Sequence, residues 1–143
     1  MTAIIASILF AIFLLLSSVH FYWALGGKWG GDAVLPIKND DSTKALTPTV
    51  LPTLIVAVGL LSIGLLVLAI SGLISFDIPR WLKDYGLRVI AGIFFLRAVG
   101  DFNYIGFFKK VKQTKFGRND TTYFSPLCLT IGLLTTILEL YNN

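Results

Sequence analysis

The chain has 143 residues, of which 55% are hydrophobic and only 14% charged. Soluble domains carry roughly a quarter charged residues. Together with a mean hydropathy of +0.78, this composition excludes a disordered chain, a disulfide scaffold and an ordinary soluble enzyme. Twelve Lys and Arg against eight Asp and Glu leave a net charge of +4. The cations gather in the connections between apolar runs and form no basic stripe interleaved with aromatics. That pattern argues against nucleic acid and for membrane lipids as partners.

Four apolar runs follow one another. The first, residues 3–23, is AIIASILFAIFLLLSSVHFYW. With no cation before it and no small-x-small cleavage site, it reads as an uncleaved first span rather than a signal peptide. The second, residues 50–75, places Pro52 in its first turn, where the missing N–H is unpaired anyway. The third, residues 85–108, has the length of a span but contains Arg88, Arg97 and Asp101. The fourth, residues 123–141, opens with Pro126 in its first turn and carries Glu139 near its end. A membrane barrel would alternate apolar and polar residues over about ten positions. These runs are apolar on every side, so helices are expected. The predicted architecture is all-α: an integral membrane four-helix bundle formed by one domain over residues 1–143. Small residues at Gly59, Ser62, Gly64, Ser71, Gly72 and Gly92 would allow the helices to approach closely.

The connections set the orientation. The first and third hold eight Lys and Arg, the second holds two. The positive-inside rule puts the first and third in the cytoplasm and both termini outside, in a multi-pass protein of the cell membrane. In the first connection GGKWGGD lacks the preceding strand and the spacing of a phosphate loop. Trp81, between the second and third runs, suits the headgroup level of an interfacial turn.

This topology brings polar residues to common depths. Arg88 and Glu139 fall at the outer end of the third and fourth helices, where they can form an interhelical ion pair. Arg97 and Asp101 are four apart on one helix face, and Tyr104 continues that face. On one continuous helix ending near Lys109 they would lie roughly 18 and 12 Å from its end. His20 and Tyr22 at the end of the first helix, Trp29 just beyond it and Ser125 in the fourth would share the cytoplasmic half. Ionisable residues in a span are costly and usually face a bundle interior or a wet cavity. His20, Tyr22, Trp29, Arg97, Asp101 and Tyr104 are therefore the candidate ligand-binding residues. Structural pairing of Arg97 with Asp101 is the competing reading. Asp120, Thr121 or Thr122 would cap the fourth helix. One histidine, one cysteine (Cys128) and scattered carboxylates give no metal-ligand spacing, no cofactor is indicated, and no nucleophile–base–acid set is evident.

The segments HFYWALGGKWG (His20–Gly30), RAVGDFNYIGFFK (Arg97–Lys109) and FGRNDTTYFSPLCL (Phe116–Leu129) resemble a bacterial membrane protein family, domain of unknown function 3995, over nearly the whole chain. The resemblance implies a small four-span protein and no particular activity. The residues carrying it are His20, Tyr22, Trp23, Gly26, Gly27, Trp29, Gly30, Arg97, Gly100, Asp101, Tyr104, Gly106, Phe107, Lys109, Asp120, Ser125 and Pro126. The function expected is binding of a small molecule or lipid, with transport by a homodimer as its extended form. A membrane enzyme acting on a lipid-like substrate and a structural or partner-stabilising protein are the alternatives.

Overall fold

A computed structural model describes residues 1–30, 49–100, 105–110, 112–113 and 115–142. All regular structure among them is helical. Helix α1 spans Thr2–Ala24, α2 Val50–Ile70 and α3 Arg80–Val99. Helix α4 spans Lys115–Asn142 and contains one π turn, Asp120–Phe124. Successive helices are antiparallel neighbours: α1 packs mainly on α2 and α3 mainly on α4, and the two hairpins meet along α1 and α4. Three helices, α1, α2 and α4, are long and apolar enough to cross a membrane. Helix α3 differs in carrying Arg80, Lys83, Asp84, Arg88 and Arg97.

The core runs through the middle of the bundle, where Leu9, Phe13, Val67, Ile131 and Leu138 are fully buried. The Phe13 and Phe94 rings meet there at 5.4 Å between centroids. Ser17 Oγ donates to the Ala57 carbonyl oxygen at 2.7 Å and ties α1 to α2. Large apolar side chains such as Ile4, Leu15, Ile55, Val89, Leu96 and Leu140 point outward. Their exposure on almost every side is what a lipid-facing surface requires.

Close approach depends on fewer small residues than the sequence suggests. A Cβ on Gly64 would lie 3.1 Å from Phe13 Cβ, one on Gly86 3.1 Å from Ile70 Cδ1, and one on Gly132 3.0 Å from the Phe95 ring. Gly59, Gly72 and Gly92 meet nothing within 4 Å. Gly64 is thus the one predicted glycine at a tight contact, while Gly86 and Gly132 were not anticipated.

Two helix boundaries depart from the apolar runs, and both matter for the site. Helix α3 starts five residues before the run, directly after Pro79, whose carbonyl accepts from the Leu82 and Lys83 amides. Trp81 therefore lies in the first turn of a helix, not in an interfacial connection. The helix stops at Val99, because Gly100 takes φ +89°, so the run 85–108 is not one continuous helix. Helix α4 starts eight residues before the fourth run. Pro126 has no N–H, and its ring would crowd a carbonyl one turn back. The Ser125 amide instead bonds to the Asp120 carbonyl, five residues away, and the wide turn lets the helix pass through the proline region unbroken.

Candidate functional site

Two polar groupings occupy the end of the bundle where α1 and α3 finish and α4 begins. The first is a strap at the end of α1. The Gly26 and Gly27 amides close the helix on the Trp23 and Tyr22 carbonyls at 3.0 and 2.9 Å. The chain then folds back: Trp23 Nε1 donates to the Trp29 carbonyl at 2.8 Å, and the Trp29 amide reaches Tyr22 Oη at 3.4 Å. A Cβ on Gly27 would collide with the Tyr22 ring, so only glycine allows this ring to lie flat over the strap. His20 packs edge-on against Trp23 at 5.2 Å. Its Nδ1 lies 2.8 Å from the Leu16 carbonyl, an acceptor, so Nδ1 carries a proton. Ser18, Val19, Tyr22 and Trp29 line a shallow apolar recess on the outer face.

The second grouping is an ion cluster centred on Asp120, which is fully buried in the π turn. Its Oδ1 accepts from Arg97 Nη2 at 3.0 Å. Its Oδ2 accepts from Lys109 Nζ at 2.9 Å, the Gly106 amide at 2.7 Å and Ser125 Oγ at 3.2 Å. Lys109 is equally covered, and its ammonium has three acceptors for three protons: Asp120, the Gly106 carbonyl at 2.9 Å and Thr121 Oγ1 at 2.6 Å. Thr121 Oγ1 in turn donates to the Gly117 carbonyl at 3.1 Å. A buried ion pair offsets its desolvation only when its remaining lone pairs and protons are satisfied. Lys109 and Asp120 meet that condition.

The backbone that makes this possible is closed by two glycines. Gly100 and Gly106 have φ +89° and +88°, a region that side chains other than glycine's rarely tolerate. They lie against each other so closely that a Cβ on Gly100 would strike the Ile105 carbonyl, and one on Gly106 the Val99 carbonyl. The Phe107 amide bonds to the Ala98 carbonyl at 2.9 Å and fixes the crossing. Gly106 is thereby held where its amide and carbonyl meet Asp120 and Lys109.

Arg97 stands apart from the other two charges. Its side chain is one-third exposed, placing it at the edge of the cluster. Nη2 is engaged by Asp120, whereas Nη1 is buried and has no hydrogen-bond partner among the described residues. Two cations on one carboxylate leave a unit of positive charge, and the unpartnered donor lies on the cation at the edge. A buried donor without an acceptor costs about 1–3 kcal/mol, more when charged.

Of the six predicted site residues, His20, Tyr22 and Trp29 come together in the strap, where Tyr22 Oη and the Trp29 backbone are engaged with each other and with Trp23, and His20 Nδ1 with the Leu16 carbonyl. Arg97 belongs to the ion cluster and its partner there is Asp120. Asp101 and Tyr104, and with them the predicted Arg97–Asp101 pair, lie outside the described residues. The capping role expected for Asp120 is corrected. Asp120 lies within α4, makes no cap bond and serves as the acceptor of the cluster. Lys109, Gly106 and Gly100 were not read as site residues. Lys109 looked like one topology-setting cation among five, since nothing local marks a lysine whose partner is eleven residues away. Two glycines flanking a short polar stretch were the available signal. The Arg88–Glu139 pair expected at the opposite end is present, with Arg88 also over the Tyr85 ring.

Arg97, Gly100, Gly106, Lys109, Asp120 and Ser125, all within the segments that carry the family resemblance, converge on this cluster. No curated protein and no solved structure matches the chain. A family model described as protein of unknown function (DUF3995) matches residues 13–135. Over that span, which holds the strap and the whole ion cluster, the chain belongs to the DUF3995 family.

Proposed function

We propose that the chain is a multi-pass protein of the cell membrane that binds an amphiphilic small molecule or lipid beside Arg97, at the loop end of a four-span bundle. In this reading α3 is the fourth span, and the positive-inside rule places the Arg97 end in the cytoplasm. The observation that carries the reading is the division of labour within the cluster. Lys109 and Asp120 are fully satisfied and hold the fold. Arg97 has one nitrogen on Asp120 and one buried nitrogen with no acceptor among the described residues. A ligand with a polar head and an apolar body fits a guanidinium at the edge of a bundle whose outer faces are apolar.

Extraction in mild detergent followed by native mass spectrometry tests this. Wild-type protein is expected to retain an amphiphile at about one per chain. Arg97→Gln should lower occupancy roughly tenfold, the loss of one charged hydrogen bond of about 1.4 kcal/mol. Protein that carries no amphiphile, or equal retention by the folded variant, would remove the basis of this reading.

A further inference from the structure

The chain's charge is distributed very unevenly. Residues 97–122 hold six Lys and Arg against Asp101 and Asp120, whereas the other residues hold six of each sign. The net charge of +4 therefore resides entirely in this one stretch, which makes the ion cluster and the start of α4. Lys109 is consumed by Asp120, but Lys110, Lys112, Lys115 and Arg118 are all exposed. None of the four forms an ion pair with a described residue. Phe108 on this stretch and Tyr123 directly after it expose about two-thirds of their surface, at 65% and 64%. Cations beside exposed aromatics suit the level where headgroups meet hydrocarbon.

Resting on the amphiphile reading above, we infer that the ligand's head is a phosphate-bearing anionic lipid headgroup, taken at the exposed part of the Arg97 side chain and drawn there by Lys110, Lys112, Lys115 and Arg118, exposed cations of the same charged stretch. The chemistry follows from what each group lacks. Arg97 offers a planar donor that Asp120 uses only in part; its Nη1 is covered, and an outward turn of the one-third-exposed side chain would let a phosphate oxygen accept from it in the plane of the guanidinium. The four exposed cations concentrate anions electrostatically without fixing their geometry. A zwitterionic head gains much less from such a field. The lipid's chains would run along the exposed apolar faces, which need no enclosed cavity.

The test uses the full chain in mixed micelles, titrated with phosphatidylglycerol or phosphatidylcholine and read by native mass spectrometry. Phosphatidylglycerol is expected to bind roughly tenfold more tightly. That preference should fall towards unity in Arg97→Gln and partly persist in Arg97→Lys, which keeps charge but not the planar donor. A variant with Lys110, Lys112, Lys115 and Arg118 all changed to Gln should bind more weakly and lose most of its salt dependence. Equal binding of the two lipids by wild-type protein overturns the inference while leaving the amphiphile reading intact. Binding of neither lipid defeats both. A preference that survives Arg97→Gln but vanishes in the fourfold variant means adsorption to those cations and overturns the Arg97 site. Displacement of phosphatidylglycerol by millimolar inorganic phosphate would assign the site to free phosphate and overturn the lipid. Should Arg97→Gln not fold, the wild-type preference and Arg97→Lys decide the matter.

Discussion

The bundle carries ionic contacts at both ends, and they are built on opposite principles. At one end Arg88 pairs with Glu139, with the Arg88 side chain more than half exposed. At the other, Asp120 is shared by two cations, is wholly covered, and is further held by a backbone amide and a hydroxyl. An exposed pair is screened and adds little. A buried carboxylate that loses its partners, or partners that lose it, becomes a large liability. Charge balance differs as well: the first pair sums to zero, while the second group, among the described residues, retains a positive unit at Arg97. Structural duty and binding capacity can thus be separated by asking which charges are covered and which are in surplus.

The sharpest way to break this contrast is Asp120→Ala, which leaves Lys109 buried beside no anion. A loss of about 3–5 kcal/mol is expected, read as failure to recover monodisperse protein or a large fall in melting temperature. Wild-type stability in that variant would refute the central role given to Asp120. Next is Gly106→Ala, which combines an unfavourable φ with a collision against the Val99 carbonyl. It should cost at least about 1–3 kcal/mol, measured by thermal unfolding in detergent. Asn at the same position tolerates positive φ better but meets the same collision, so it should rescue little. Arg97→Gln should cost only about 1 kcal/mol in stability, because Lys109 still neutralises Asp120, yet it should lower amphiphile occupancy roughly tenfold. That split between folding and binding is the most diagnostic result. Smallest of all is Arg88→Ala, for which no resolvable change in melting temperature is expected. A clear drop would mean that the exposed pair contributes more than its setting implies.

The sequence made the helical class and the four long helices among the described residues legible, because runs of about twenty apolar residues leave the backbone no other way to satisfy itself in lipid. Matching depths were legible too: Arg88 and Glu139 pair as their positions in an antiparallel hairpin require. What escaped notice was where helices stop. The run from Tyr85 to Phe108 is apolar enough to continue, but Gly100 ends α3, and hydropathy does not register a backbone dihedral. The same blindness hid the site. Arg97 was identified because an arginine inside an apolar run is anomalous. Asp120 and Lys109 sit in a polar connection, where charged residues are commonplace, and only the crossing of Gly100 and Gly106 folds that connection inward. His20 was noticed for its rarity, yet its ring packs on Trp23 and its Nδ1 serves the Leu16 carbonyl.

The order of residues along the chain imposes an order on assembly. Lys109 precedes its acceptor Asp120 by eleven residues, and Arg97 precedes it by twenty-three. During synthesis both cations are added to the chain, and emerge from the ribosome, ahead of the carboxylate that neutralises them. The glycine crossing cannot settle with Lys109 buried until the opening turns of α4 have been made. Formation of α3 and closure of the cluster are therefore separate events, and the second waits on translation of the last helix. A released chain ending just before Asp120 would leave Lys109 within reach of an amine-reactive label, whereas the full chain hides it.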